Sequence, residues 1–250
     1  TNSMQVGLGS SGANTLILGN GANSGTVSGV NTLIGGTGND TLTLGAAVAN
    51  ASVTLGSGAD TLTLANGTNT ATVADVQTIT GGTGADTITL GDTANNASVD
   101  LGAGNDTLNL GDFNNTITVT NTETIVGGAG NDSVTLGSAL GASSSIDVGS
   151  GASRLILTNA TNTGTVSGAS TLIGGTGADT VTLGTAASDA SIDLGAGNDT
   201  LTLGNFANTA TVSNVETIGG GSGTDNITLA TALTNSMQVN LRSIGVNTLT

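Results

Sequence analysis

Polar and apolar residues alternate along this chain in runs too short for helix and well suited to strand. Thr-Leu-Thr-Leu at 41–44 returns at 61–64 and, with small changes, at 87–90, 107–110, 133–136, 180–183, 200–203 and 226–229. A period of two marks a strand with one buried face. Leu42, Leu44, Leu62, Leu64, Ile88, Leu90, Leu108 and Leu110 are therefore expected inside, and Thr41, Thr43, Thr61, Thr63, Thr87 and Thr89 outside. Residues 51–55 and 78–80 alternate in the same way. Clusters of Gly, Asn and Asp separate the runs, as turns require. No segment carries a helical period, so the fold class is all-β.

Each run follows a Gly-rich hexad. The hexads are GGTGND at 35–40, LGSGAD at 55–60, GGTGAD at 81–86, LGAGND at 101–106, GGAGND at 127–132, GGTGAD at 174–179, LGAGND at 194–199 and GGSGTD at 220–225. They close on Asp40, Asp60, Asp86, Asp106, Asp132, Asp179, Asp199 and Asp225, with degenerate copies ending at Asn14, Ser153 and Asn247. Steps of 20 and 26 residues alternate, so the repeat is 46 residues long. Strands this short hide an apolar face only by stacking copy on copy. The expected architecture is a parallel β-solenoid of about ten stacked coils, each 46-residue unit made of a 20-residue and a 26-residue coil. Residues 1–250 are expected to form one repeat solenoid, a segment of a longer chain. An extra strand-like piece in the longer coil (70–73, 117–120, 209–212) suggests coils of alternating cross-section.

Composition narrows the chemistry. Among 250 residues there are 42 Gly, no Cys and no His, and two Arg stand against 17 acids for a net charge of -15. Without Cys there is no disulfide framework or thiolate metal site, and without His the commonest general base is missing. Two cations cannot neutralise a phosphate backbone, which excludes nucleic acid as a partner. No apolar run is long enough for a transmembrane helix.

Stacking would bring the eight hexad Asp into a column on one edge. Carboxylates about 5 Å apart repel by roughly 1 kcal/mol in water and several-fold more in a protein setting. A hard divalent cation between coils relieves this, and calcium accepts carboxylate and backbone carbonyl oxygens in flexible geometry. The eight Asp are thus the candidate metal ligands, with Ca2+ as the cofactor; turn stabilisation by Asp is the simpler alternative.

GGTGNDTLT at 35–43, GGTGADTIT at 81–89, GGAGNDSVT at 127–135 and GGTGADTVT at 174–182 fit the nonapeptide G-G-x-G-x-D-x-U-x at every defined position. The chain thereby resembles RTX, or haemolysin-type calcium-binding, repeat proteins, a group that includes bacterial S-layer and other large surface proteins. Leu55, Leu101 and Leu194 replace the first Gly in the intervening copies. The resemblance implies calcium-dependent folding, type I secretion, and a secreted, extracellular or cell-surface location. One hexad per coil, rather than one on each side, implies a single file of ions.

Other residues receive plainer readings. Arg154 beside Ser153, and Arg242 in the last degenerate copy, could replace a missing metal charge or be solvated. Asp100, Asp147 and Asp193 are read as a solvated strand face, with additional or supporting calcium ligands as the alternative, and the variable set Asn31, Gln77, Glu123, Ser170 and Glu216 as solvent-facing. Asp75, Asp92, Asp112 and Asp189 sit in turn-like contexts. Phe113 and Phe206 are read as core filling, with a cap on an edge pocket or a lateral contact as the alternatives. Every acid has repeat equivalents or lies in a plain turn, so no catalytic residue and no small-molecule substrate is expected. The functional expectation is a calcium-stabilised structural protein of the bacterial surface or extracellular matrix, S-layer-like. Its partners would be copies of itself or other surface-layer components. An adhesin extender or spacer is the alternative, and an ice-binding solenoid with Thr37, Thr83 and Thr176 in rank is weaker, since Ala and Ser interrupt that rank.

Overall fold

A computed structural model of the chain describes residues 4–9, 12–232, 236–241 and 247–250. Contacts divide the chain into two compact units, Thr1–Thr124 and Ile125–Thr250. All described secondary structure is strand and turn.

In the first unit the chain passes back and forth between two parallel sheets. One sheet holds Met4–Gly7, Ser24–Ser28, Thr41–Leu44, Thr61–Thr63, Thr78–Gly82, Asn95–Gly102 and Thr116–Thr120, each paired with the next. The other holds Thr15–Ile17, Thr32–Thr37, Ala51–Ser57, Thr70–Ala74, Thr87–Leu90 and Thr107–Asn109. The second unit repeats the plan. Ser133–Leu136, Ser153–Ile156, Ala169–Gly175, Ala190–Gly195, Thr209–Ser213, Asn226–Leu229 and Thr248–Leu249 pair in order. Ser145–Asp147, Thr163–Ser167, Thr180–Leu183, Thr200–Thr202, Thr217–Gly219 and Gln238–Asn240 do likewise. With two strands to a turn, each unit is a parallel β-solenoid, and the described residues make about 12 turns in all, slightly more than the ten expected from the hexads.

The turns differ from the expected coils. Leu42 lies beside Leu62, Leu62 beside Ile79, and Ile79 beside Val99, so successive turns take 20, 17 and 20 residues. Longer coils of 26 residues do not occur in these registers. The pieces at 70–73, 117–120 and 209–212 are full strands in turns of their own and do not widen a coil. The 46-residue unit therefore contains five strands, or two and a half turns. Each repeat returns on the opposite sheet: Thr41–Leu44 lies in one and Thr87–Leu90 in the other.

The core follows the alternation. Leu42, Leu44, Leu62, Leu64, Ile88, Leu90, Leu108 and Leu110 are all at most 5% exposed. Removing a Leu or Ile side chain from water contributes about 1.5–3 kcal/mol, so an aliphatic stack this regular holds a thin fold without aromatic residues. Phe113 and Phe206 are not part of it. Their rings lie over Gly111 and Gly204 at corners, and Phe206 remains 37% exposed.

Candidate metal centre

The eight hexad Asp sit at corners, each immediately before a strand, and all are at most 2% exposed. They do not form one file. In the first unit Asp40 and Asp60 stand on the edge entering Thr41–Leu44 and Thr61–Thr63, whereas Asp86 and Asp106 stand on the opposite edge, entering Thr87–Leu90 and Thr107–Asn109. The two and a half turns per repeat cause this alternation. In the second unit Asp179 and Asp199 are paired across one turn, Asp132 stacks on Ser153, and Asp225 stacks on Asn247.

Each run is a ladder of hydrogen bonds one turn apart. On one edge Asn69 N donates to Asp86 Oδ1 (2.8 Å), Asp86 N to Asp106 Oδ1 (2.7 Å), and Asp106 N to Glu123 Oε2 (2.8 Å). On the other edge the series is Asn23, Asp40, Asp60 and Gln77. In the second unit it is Asn162, Asp179, Asp199 and Glu216. One carboxylate oxygen thus does stabilise a neighbouring turn, as the simpler reading of Asp allows.

The second oxygen is different. Oδ2 of all eight Asp is buried and has no hydrogen-bond partner. The Asn at the head of each run, buried at 69 and 162 and half-buried at 23, shows what that atom faces. Asn69 Nδ2 donates to Ala65 O (2.8 Å) and Gly67 O (2.8 Å), four and two residues back in its own loop. Asn162 Nδ2 does the same to Thr158 O (3.0 Å) and Ala160 O (2.7 Å), and Asn23 Nδ2 to Gly19 O and Gly21 O. Asp86 follows Asn69 in the ladder, so its Oδ2 stands where an amide nitrogen stood. An acceptor replaces a donor beside a loop that presents carbonyl oxygens. A buried carboxylate oxygen left so is costly unless a cation or proton meets it.

Among the described residues no such cationic side chain is at hand. Arg154 lies on the exposed face of Ser153–Ile156 and does not enter the buried ladder, while Ser153 Oγ accepts the Asp132 N–H (3.0 Å). Arg242 falls outside the described residues. Burial lifts the Asp60, Asp106 and Asp199 carboxyls above the ordinary Asp range; the neighbouring Asp40, Asp86 and Asp179 charges add to the rise, and the hydrogen bonds from their backbones oppose it. Among the described residues no three acidic side chains converge on one point. An ion here would take one or two carboxylates and complete its shell with backbone carbonyls. That oxygen-only, anionic donor set fits a hard divalent cation of calcium type.

The glycines fit the same plan. A Cβ on Gly35 or Gly81 would collide with the carbonyl of Leu55 or Leu101 on the next turn. The first Gly is therefore required by close backbone approach. In the intervening hexads the Leu takes that place because its own side chain enters the core, where Leu55, Leu101 and Leu194 are fully buried.

Two sets of residues escaped the sequence reading. The Asn23, Asn69, Asn115, Asn162 and Asn208 series recurs every 46 or 47 residues, always 17 residues ahead of a GGxGxD Asp, and that spacing would have revealed it. Of the set read as solvent-facing, Gln77, Glu123 and Glu216 are half-buried and form the far end of the ladders, whereas Asn31 is exposed. Asp100, Asp147 and Asp193 are not plain strand face either. Each Oδ1 accepts the N–H of a glycine two residues on, Gly102, Gly149 or Gly195, all at positive φ.

The family model for the RTX calcium-binding nonapeptide repeat matches residues 26–47, 74–96, 98–118, 119–138, 165–186 and 191–210, just over half the chain. The chain belongs to the RTX calcium-binding repeat family. Calcium is accordingly the ion of these repeats. No curated protein and no solved structure matches the chain. Among the described residues no helix is long and apolar enough to cross a membrane, which leaves β-barrels unaddressed.

Proposed function

We propose that this RTX repeat chain is a calcium-stabilised structural element of a secreted bacterial surface or matrix protein, with Asp40, Asp60, Asp86, Asp106, Asp132, Asp179, Asp199 and Asp225 as the ligands. The observation that carries the reading is the set of eight buried, partnerless Oδ2 atoms facing loops that in the Asn copies need a donor. Bound calcium would neutralise the carboxylates and satisfy the carbonyls together. The protein's own part is to hold the carboxylate by one oxygen, through the N–H of the preceding turn at Asp40, Asp60, Asp86, Asp106, Asp179 and Asp199 and through the Asn208 amide at Asp225, and to leave Oδ2 for the ion. No catalytic role is assigned, because the acids are spread through a repeating scaffold and none forms a distinctive group. The outward faces, rich in Thr and Ser, would contact copies of the chain or other surface-layer components.

The test is calcium titration of the chain with far-UV circular dichroism and ion stoichiometry, followed by electron microscopy of the loaded protein. Strand signal that develops with calcium, and one ion or fewer per hexad Asp, supports the metal assignment. Sheets or filaments support the surface-layer role, and dispersed monomers support the spacer alternative. Full strand content in a chelator, with no ion uptake, would defeat the assignment.

A further inference from the structure

We propose that Glu123 and Glu216 supply a second carboxylate to divalent-cation sites at Asp106 and Asp199, and that Gln77 leaves the equivalent site at Asp60 weaker. This rests on the calcium reading above and adds to it that the sites are unequal. In all three runs the second Asp donates its N–H to a side-chain oxygen one turn on. Asp60 N reaches Gln77 Oε1 (2.7 Å), Asp106 N reaches Glu123 Oε2 (2.8 Å), and Asp199 N reaches Glu216 Oε2 (2.7 Å). The bond is the same in each, and only the charge differs.

The charge matters because of what lies beside it. Asp60, Asp106 and Asp199 are at most 1% exposed, and each presents an Oδ2 with no partner. The Glu side chains are only half-buried and spend one oxygen on the backbone bond, so the other remains for an ion entering from solvent. The corresponding atom of Gln77 is an amide nitrogen, a donor that a cation avoids. An ion at Asp106 would thus have two carboxylates, those of Asp106 and Glu123, and an ion at Asp60 would find an amide where the second would stand. The ladder needs only an oxygen at this position, as Gln77 demonstrates, so the carboxylates at 123 and 216 add charge that the fold does not require.

The test is calcium titration of the full chain by calorimetry and by competition with a chelating dye, with circular dichroism as the check on folding. Three proteins are compared: the parent, the Glu123→Gln/Glu216→Gln double variant, and Gln77→Glu. Both substitutions keep the oxygen that accepts the backbone N–H. The parent is expected to show a tight class of sites from which the double variant loses two, weakened roughly tenfold, the order expected on removing one unit charge beside a divalent ion. Gln77→Glu is expected to add one tight site. Unchanged affinity classes in both folded variants would overturn the inference and leave the calcium reading intact. A parent that takes up no calcium at all would overturn both.

Discussion

Two stacked corners of the first unit, 64–69 and 81–86, have the same length, enter adjacent strands of one sheet, and close on side chains that differ by one atom. Asn69 closes the first and needs nothing further: its oxygen accepts Val48 N, and its nitrogen serves Ala65 O, Gly67 O and Asp86 Oδ1. Asp86 closes the second and is incomplete, with Oδ1 bonded and Oδ2 alone. On the calcium assignment proposed above, exchange of an amide for a carboxylate turns a self-sufficient corner into one that needs a cation. The repeat places an Asn corner and an Asp corner in every run described, so the chain would carry cation-independent and cation-dependent corners side by side.

The largest effect should come from removing the cation altogether. In excess chelator the eight Asp corners lose their counter-charge at once, and an unpaired buried carboxylate is worth several kcal/mol. Most of the strand signal is expected to vanish in circular dichroism and to return with calcium. Hydrogen exchange sharpens the comparison, because any residual protection should concentrate at the Asn corners rather than the Asp corners.

Next in size is Asn69→Asp. This substitution leaves Ala65 O and Gly67 O without their donor and sets a new charge against Asp86. Loss of a buried donor costs about 1–3 kcal/mol, and the like charge adds to it. Chemical denaturation in low calcium should show the loss, and high calcium should recover part of it by filling a new site. The reverse change, Asp86→Asn, should be smaller and of opposite sign. It supplies an NH2 to its own loop and keeps the oxygen that accepts Asn69 N. In low calcium, where the parent still folds, it should stabilise the chain by about 1 kcal/mol, the net worth of an ordinary hydrogen bond. Ion stoichiometry should fall by one. A destabilised Asp86→Asn protein in low calcium would break the comparison, since the Asp corner would then have been complete without a metal.

Much of this was legible in the sequence, and the reason is physical. Strand alternation has a period of two and burial enforces it, so Leu42 through Leu110 could be assigned inward without coordinates. The hexad Asp could be picked out because an acid recurs at the same place beside Gly in every intact repeat, and the structure buries all eight at corners. What the sequence hid was the winding number. A 46-residue repeat reads most simply as two coils, yet the corner at 45–50, which carries no hexad, and the strands at 70–74 and 78–82 complete two and a half turns. From that half turn follow both the alternation of edges and the pairing of Asp40 with Asp60 but not with Asp86. The Asn corners were missed because Asn in a Gly-rich loop looks like an ordinary turn residue, and only the structure shows that its amide serves the carbonyls of its own loop. Gln77, Glu123 and Glu216 were misread because variation between amide and acid suggests solvent, whereas a ladder that needs only an oxygen tolerates both.

The smallest effect concerns a corner where two acids meet outside the ladders. Asp75 N donates to Asp92 Oδ2 (3.1 Å), and Asp75 has positive φ. Burial lifts the Asp92 carboxyl above its ordinary value of 3.8, and the adjoining Asp75 side chain raises it further. The folded state therefore holds this proton more tightly than the unfolded chain does. Stability from Asp92 is gained as pH falls through the raised value and is complete once pH is below 3.8; at neutral pH the penalty of ionisation is fully present. Asp92→Asn keeps an oxygen for Asp75 N and removes the charge. Because the site is partly open to solvent, the gain at pH 7 should be about 0.5 kcal/mol, or a degree or two in Tm. Thermal melts of parent and variant from pH 7 to pH 4 at fixed calcium give the readout as their difference at each pH, so changes common to both cancel. The difference should shrink steadily towards acid. A difference that stays constant across that range would show that the two carboxylates do not share their charge, and that this corner, like the Asn corners, is already satisfied without a proton or a cation.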